Sequence, residues 1–174
     1  MSLTDKALLL FELIESNRKN ELIDLIRLGV NLEIKNKDRE TPLQVAAALN
    51  SQDIVKILID AGAKIESPRI ISQLAESVTS EISEFPVEAL EILVKAGLDI
   101  NYPGEDGDTL LMEATMEDNL PLVKKLVELG ADPNRVNKYG EFALLSTRNK
   151  ADIYKYLYPI TDPVLRQRIS WKFD

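Results

Sequence analysis

Residues 40–66 read ETPLQVAAALNSQDIVKILIDAGAKIE. Thr41 is of a type that caps helices. Pro42 behind it suits a first helical turn, where its missing N–H costs little. Leu43, Ala46 and Ala47 then fall on one helix face at i, i+3 and i+4. The small alanines let a second helix approach closely. Ile54, Val55, Ile57 and Leu58 form a wider apolar stripe on the next helix. Gly62 ends that stripe, where a C-terminal cap enters the left-handed region. The stretch therefore predicts a helix–turn–helix. A single such unit cannot bury its apolar face alone, so it has to stack on neighbours.

Neighbours of the same kind are present. Glycine followed by a small or aliphatic residue and then a polar one occurs as Gly29-Val30-Asn31, Gly62-Ala63-Lys64, Gly97-Leu98-Asp99 and Gly130-Ala131-Asp132. The spacings are 33, 35 and 33 residues. Each glycine closes a helical run: LIDLIRLG, IVKILIDAG, ALEILVKAG and LVKKLVELG. Thr41-Pro42-Leu43 recurs as Thr109-Leu110-Leu111 and, more weakly, as Phe142-Ala143-Leu144. Each starts 12 residues after the preceding glycine. Period and register agree, which marks an internal repeat.

This pattern resembles the ankyrin repeat, whose period is about 33 residues and whose signature is T-P-L-H-x-A. The matching residues are Thr41-Pro42-Leu43-Gln44-Val45-Ala46, Ile54-Val55, Ile57-Leu58 and Gly62-Ala63. A second good copy holds Gly107-Asp108-Thr109-Leu110-Leu111-Met112-Glu113-Ala114, Leu122-Val123, Leu126-Val127, Gly130-Ala131-Asp132 and Asn134. The resemblance covers about residues 5–158. It implies an all-α ankyrin-repeat solenoid of stacked helix-turn-helix units with short β-turn fingers. The expected organisation is one domain over 1–174. It comprises an N-terminal capping repeat at 5–35, repeat 2 at 36–66 and an irregular repeat 3 at 67–101. Repeat 4 follows at 102–134, a degenerate repeat 5 at 135–158 and a C-terminal cap at 159–174. Atypical end units are expected, because they must cover an open core.

The third unit departs most. Ile71 takes the place of Leu43, but it follows Gly62 by only 9 residues, whereas Leu43 follows Gly29 by 14. From Ile71 to Gly97 is 26 residues, against 19 from Leu43 to Gly62. The finger is thus short and the inter-helix segment long, within 77–85. Either a contact surface is reshaped there, or a surface loop has drifted with Ile82 and Phe85 packed beneath it. The second is the expectation. Arg39 stands where the family's finger carries glycine, while Gly107 and Gly140 keep it. A left-handed arginine costs roughly 1–2 kcal/mol, so another turn is expected at that finger. Gln44, Met112 and Leu145 replace the family's histidine, and Gln44 alone retains hydrogen-bonding capacity there.

The chain has 174 residues, 45% hydrophobic and 29% charged, a globular balance. Its net charge of −8 argues against nucleic-acid backbones and anionic membranes as partners. The absence of cysteine excludes disulfides and thiolate chemistry. The absence of histidine removes Ser–His and Cys–His arrangements and most zinc sites. The opening MSLTDKALLLFELIES carries Lys6, Glu12 and Glu15 and makes a poor signal peptide. No apolar run approaches the roughly 18 residues of a membrane span. These features lead to the expectation of a cytoplasmic monomer.

Catalytic or metal constellations are weak. Glu81, Glu84, Glu88 and Glu91 read as a solvated helix face. Asp99 to Glu105 faintly resembles a calcium loop, but Pro103 occupies a ligand position and Leu110 replaces the closing glutamate. GEDGDT at 104–109 lacks the lysine of a phosphate loop, and its acids would repel phosphate. Glu113 lies on an inner helix and suits a buried network or a surface better than catalysis. No cofactor is implied.

The resemblance implies instead a surface made of finger tips and the exposed side of the inner helices. In repeat 2 it carries Lys35, Lys37, Asp38 and Glu40, with Ala48 and Leu49. In repeat 4 it carries Tyr102, Pro103, Glu105, Asp106 and Asp108, with Met116 and Glu117. In repeat 5 it carries Val136, Lys138, Tyr139 and Glu141, with Asn149 and Lys150. Residues 33–41 hold three bases and three acids, whereas 99–108 hold four acids and no base. Such a surface suits a partner protein that is basic or mixed in charge. Phe142 is expected to pack inward, and Trp171 to pack in the terminal cap with Leu165 and Ile169. The functional expectation is a non-catalytic protein–protein interaction module. The alternatives are an inhibitor or immunity-type protein that neutralises an enzyme and, more remotely, an enzyme working through carboxylates alone.

Overall fold

A computed structural model describes residues 3–78, 85–104 and 106–169. All regular structure among them is helical. The helices are α1 (Leu3–Glu15), α2 (Lys19–Arg27), α3 (Pro42–Ala48), α4 (Gln52–Asp60), α5 (Ser67–Glu76), α6 (Val87–Lys95), α7 (Leu110–Met116) and α8 (Leu120–Glu128). A 3-10 helix (Ala143–Thr147) and α9 (Ala151–Leu157) follow. A short 3-10 turn (Tyr158–Ile160) and α10 (Pro163–Arg166) complete the order. This is the expected all-α class. The described residues form two compact units, one from 1–66 with 86–98, the other from 67–85 with 99–174. The helices flanking the 77–85 segment therefore belong to different units.

In the first unit α1 packs on α2 and α3, and α4 packs on α2, α3 and α6. Its core is Leu10, Leu13 and Ile14 of α1, Leu22 and Leu25 of α2, Leu43, Ala46 and Ala47 of α3, Ile54, Val55 and Leu58 of α4, and Ala89, Leu90 and Leu93 of α6. These are the residues that the helical spacing places on one face. In the second unit α7 packs on α5, α8 and the 143–147 helix, and α9 packs on α8 and that same helix. Ile70, Ile71 and Leu74 of α5 and Leu110, Leu111 and Ala114 of α7 are buried where these helices pack, and Phe142 is fully buried as expected. Phe85 is also buried. Ile82 and Trp171 lie outside the described residues, as do Glu81, Glu84 and Glu105.

The helix ends follow their sequence signals. Thr41 caps α3 by accepting from the Gln44 N–H, while the Gln44 side chain accepts from the Thr41 N–H at 2.9 Å. That reciprocal box does for this helix what the family's histidine would. Thr109 caps α7 one way only, because Met112 has no oxygen to return. Pro42 is the first helical residue of α3 and Pro121 the second of α8, whereas Pro86 is the cap residue of α6. Proline has no side-chain acceptor. Asn50 supplies it instead, accepting from the Ala89 N–H at 2.9 Å and donating to Glu88 at 2.6 Å.

A ladder of side-chain hydrogen bonds runs along the bases of the fingers within each compact unit. The residue two positions after the glycines at 62, 97 and 130 offers its backbone N–H to a side chain 31 or 32 residues earlier in the same compact unit. Lys64 donates to Glu33 at 2.9 Å and Asp99 to Ser67 at 3.1 Å. Asp132 donates to Asn101 at 2.7 Å. Asp162 donates to Asn134 at 2.6 Å although no glycine precedes it. The Thr161 N–H reaches Leu157 O four residues back, whereas Ala131 reaches Leu126 and Leu98 reaches Leu93 five back. The Asp162–Asn134 bond continues the ladder before α10.

One expectation fails. Arg39 does not force a different turn. Its φ is 66°, in the left-handed region, and its N–H reaches Asn36 O at 3.0 Å. Gly140 has φ 81° and the same bond to Asn137 O at 3.0 Å. The turn is held by hydrogen bonds of the Asn36 side chain to Asp38 and Glu40, which outweigh the local steric cost.

Candidate functional site

The last two fingers of the second unit form one continuous piece. Asn137 is its centre and is buried, at 7% exposed. Its side-chain oxygen accepts from the N–H groups of Tyr139 at 2.9 Å and Glu141 at 2.8 Å. Its amide donates to the Glu141 carboxylate at 3.0 Å and to the Asp108 carboxylate at 2.7 Å. The first three bonds shape its own finger, and the fourth ties it to the finger before. The Lys138 N–H reaches Asp106 O at 3.0 Å, a second, backbone tie. Gly107 makes the approach possible. Its φ is 88°, and a Cβ there would lie 3.1 Å from both Asn137 Cα and Lys138 N. On the far side the Arg168 guanidinium donates to Gly140 O at 2.6 Å and sits 5.3 Å over the Phe142 ring.

The face carried by this piece is acidic with exposed apolar groups. Tyr139 is 71% exposed, and its hydroxyl donates to Asp106 at 3.2 Å. That hydrogen bond, and then the charge of the same carboxylate, hold its phenol above the usual tyrosine range. Met116 and Val136 are exposed large apolar side chains. Asp106, Glu117, Lys138 and Glu141 are exposed, whereas Asp108 and Tyr102 are half-buried. Glu113 is half-buried on α7. Desolvation, followed by the charges of Asp108 and Glu117, raises its pKa above the ordinary carboxylate range. Mutual repulsion of this kind is what a cationic group on the face would relieve.

The finger of the first unit is built around an asparagine in the same way. The Asn36 oxygen accepts from Asp38 at 3.0 Å and Glu40 at 2.9 Å, and its amide donates to Glu40 at 2.9 Å. Lys35, Lys37 and Asp38 are exposed, Glu40 is half-buried, and Leu49 is exposed at the end of α3. The sequence-derived residues therefore fall into two groups: Lys35, Lys37, Asp38, Glu40 and Leu49 on the first unit, the others on the second. Among the described residues no His, Cys, Asp and Glu cluster has the makings of a metal site. No helix among them is long and apolar enough to cross a membrane.

Sequence reasoning passed over Asn36 and Asn137, although both organise their fingers. The signal was present as the parallel strings NKDRE at 36–40 and NKYGE at 137–141. Each begins with the asparagine and ends with the glutamate that it binds. Attention to exposed tips missed residues whose side chains turn back into the loop.

The comparisons with known proteins agree with this architecture. A family model described as "Ankyrin repeat" matches residues 38–69 and 106–138. A putative ankyrin repeat protein of fowlpox virus, FPV034, is 31% identical over 135 residues, covering 77% of this chain and 31% of that protein. The mouse B-cell lymphoma 3 protein homolog is 28% identical over 130 residues, 74% of this chain and 29% of its own length. The Arabidopsis potassium channel AKT2/3 is 30% identical over 121 residues, 70% of this chain and 15% of its own. The matched region thus spans less than a third of the length of each of these relatives.

Proposed function

The chain belongs to the ankyrin-repeat family, whose repeats generally mediate protein–protein interaction; from that premise we propose that it is a non-catalytic module binding a partner protein through its fingers and the exposed ends of its inner helices. The observation that carries this is the second unit's paired finger face. Asn137 and the Lys138–Asp106 backbone bond make two fingers one rigid surface. A preorganised surface loses little entropy on binding. It exposes Tyr139, Met116 and Val136 together with Asp106, Glu117, Lys138 and Glu141, apolar groups beside mainly acidic ones. The partner is a protein that brings a basic side chain to that face, since cation and aromatic ring attract and the rim carboxylates add charge complementarity.

The test is affinity capture from the native cell with the wild-type chain and with a combined Tyr139→Ala, Met116→Ala, Asp106→Asn and Glu117→Gln variant. The expected result is one or more proteins held by the wild type, released by salt and lost with the variant. Retention of every captured protein by the variant would sink the proposal. If the lost partner is an enzyme that the chain silences, the module acts as an inhibitor.

A further inference from the structure

The first unit holds a groove that the paired finger face does not use. It runs between α1 and the finger at 35–38. The inner side of α1 is spent on the core, with Leu10, Leu13 and Ile14 buried. Its other side nevertheless carries Leu8, 69% exposed, and Phe11, half-buried, and both line the groove. Leu8 and Phe11 thus place two apolar side chains in one concavity.

The walls are of opposite charge. On the α1 side stand Glu12 and Glu15; on the finger side stand Lys35 and Lys37, with Asp38 at the tip. Glu12 touches the Arg18 guanidinium at 3.8 Å, but Arg18 is itself bound to Glu21. Glu15, Lys35 and Lys37 make no ion pair or side-chain hydrogen bond with any described residue. Leu8 to Glu15 spans two helical turns, about 10–12 Å.

We propose that this groove receives a short amphipathic helix of a partner protein, whose aliphatic side chains cover Leu8 and Phe11. Its basic edge lies along Glu12 and Glu15, and its acidic edge along Lys35 and Lys37. The charge layout selects this occupant. A uniformly basic helix meets the two lysines, a uniformly acidic one meets the two glutamates, and only a two-edged helix matches both walls while fixing its direction. The inference rests on the reading of the chain as a binding module and adds a second site of different chemistry.

The experiment measures fluorescence anisotropy of three labelled, helix-stabilised peptides of about four turns with the whole chain. All share one leucine face. The first has a lysine edge and a glutamate edge, the second lysine on both edges, the third glutamate on both. Saturable binding of the two-edged peptide, at least about tenfold tighter than either other, is expected. Leu8→Glu should weaken it at least about tenfold. The Lys35→Glu, Lys37→Glu double variant should move preference to the all-lysine peptide. These side chains are exposed, and an unchanged circular dichroism spectrum checks the fold. Equal affinity for all three peptides, or binding unmoved by Leu8→Glu, overturns the inference. So does sedimentation showing a dimer that Leu8→Glu dissolves, which would make a second copy the occupant. The Tyr139→Ala, Met116→Ala variant separates the two proposals, since it should bind the peptide unchanged while losing the finger-face partner.

Discussion

Asn137 donates its amide to Asp108 across 2.7 Å, from the last finger of the second unit to the one before it. The same residue accepts from two backbone N–H groups and donates to Glu141, so one side chain satisfies four groups. Asn36 has the matching place in the first unit but bonds only within its own finger.

Asn137→Ala should therefore destabilise the chain by about 2–4 kcal/mol, since each lost bond is worth about 1 kcal/mol and buried donors and acceptors are left bare. Asn36→Ala should cost about 1–2 kcal/mol, because its finger is more open to water. Urea titration followed by circular dichroism measures both. Equal losses would contradict the inter-finger tie.

Two glycines should respond differently to one added methyl. Gly107 and Gly130 both have positive φ, 88° and 96°. A Cβ on Gly130 meets nothing within 4 Å, so Gly130→Ala should cost only the conformational penalty of roughly 1–2 kcal/mol. Gly107→Ala adds a clash with the backbone of the next finger and should cost about 1–2 kcal/mol more. Thermal unfolding of the two variants side by side provides the comparison.

Arg39 holds a conformation that glycine prefers, with φ 66°. Arg39→Gly should stabilise the chain by about 0.5–1 kcal/mol, the steric relief less the greater entropy of an unfolded glycine. The reverse change in the last finger, Gly140→Arg, should destabilise it, and there the side chain would also meet Arg168. Denaturant midpoints should move in opposite directions.

The pH dependence of stability should report Glu113. Burial, then Asp108 and Glu117, disfavours its ionised form in the folded chain and raises its pKa. Between the ordinary carboxylate value and that raised value, the native state binds more protons than the unfolded one. Stability therefore falls as pH rises through that window. Glu113→Gln should match the wild type below the window and exceed it above. Melting temperatures from about pH 4 to about pH 8 would reveal the divergence. A constant offset at all pH values would mean the glutamine acts by packing alone.

Much of the fold was legible because it is periodic. Leu43, Ala46 and Ala47 are buried where the spacing puts them, and the cap glycines end helices where the pattern places them. Thr41 and Gln44 signalled their own box, since capping is a matter between residues three apart. The site was harder. Exposed tips such as Tyr139 and Lys37 could be named by register, but Asn36 and Asn137 look like ordinary loop residues until the loop is closed. Arg39 misled for the same reason: its local cost was visible, but the bonds that offset it were not.

What the residues determined alone is what repeats along the chain: an all-α class, the place of each helix and the apolar face each one buries. Those follow from spacings of three and four residues and a period near 33, which need no knowledge of distant partners. Tertiary structure decided which loops touch. It set Asn137 against Asp108, 29 residues apart, and left Asn36 facing only its own finger. It also brought Lys35 and Lys37 into one concavity with Glu12 and Glu15, at least 20 residues away. Such pairings depend on how backbones stack and how closely a glycine lets them approach, and no local pattern encodes that distance.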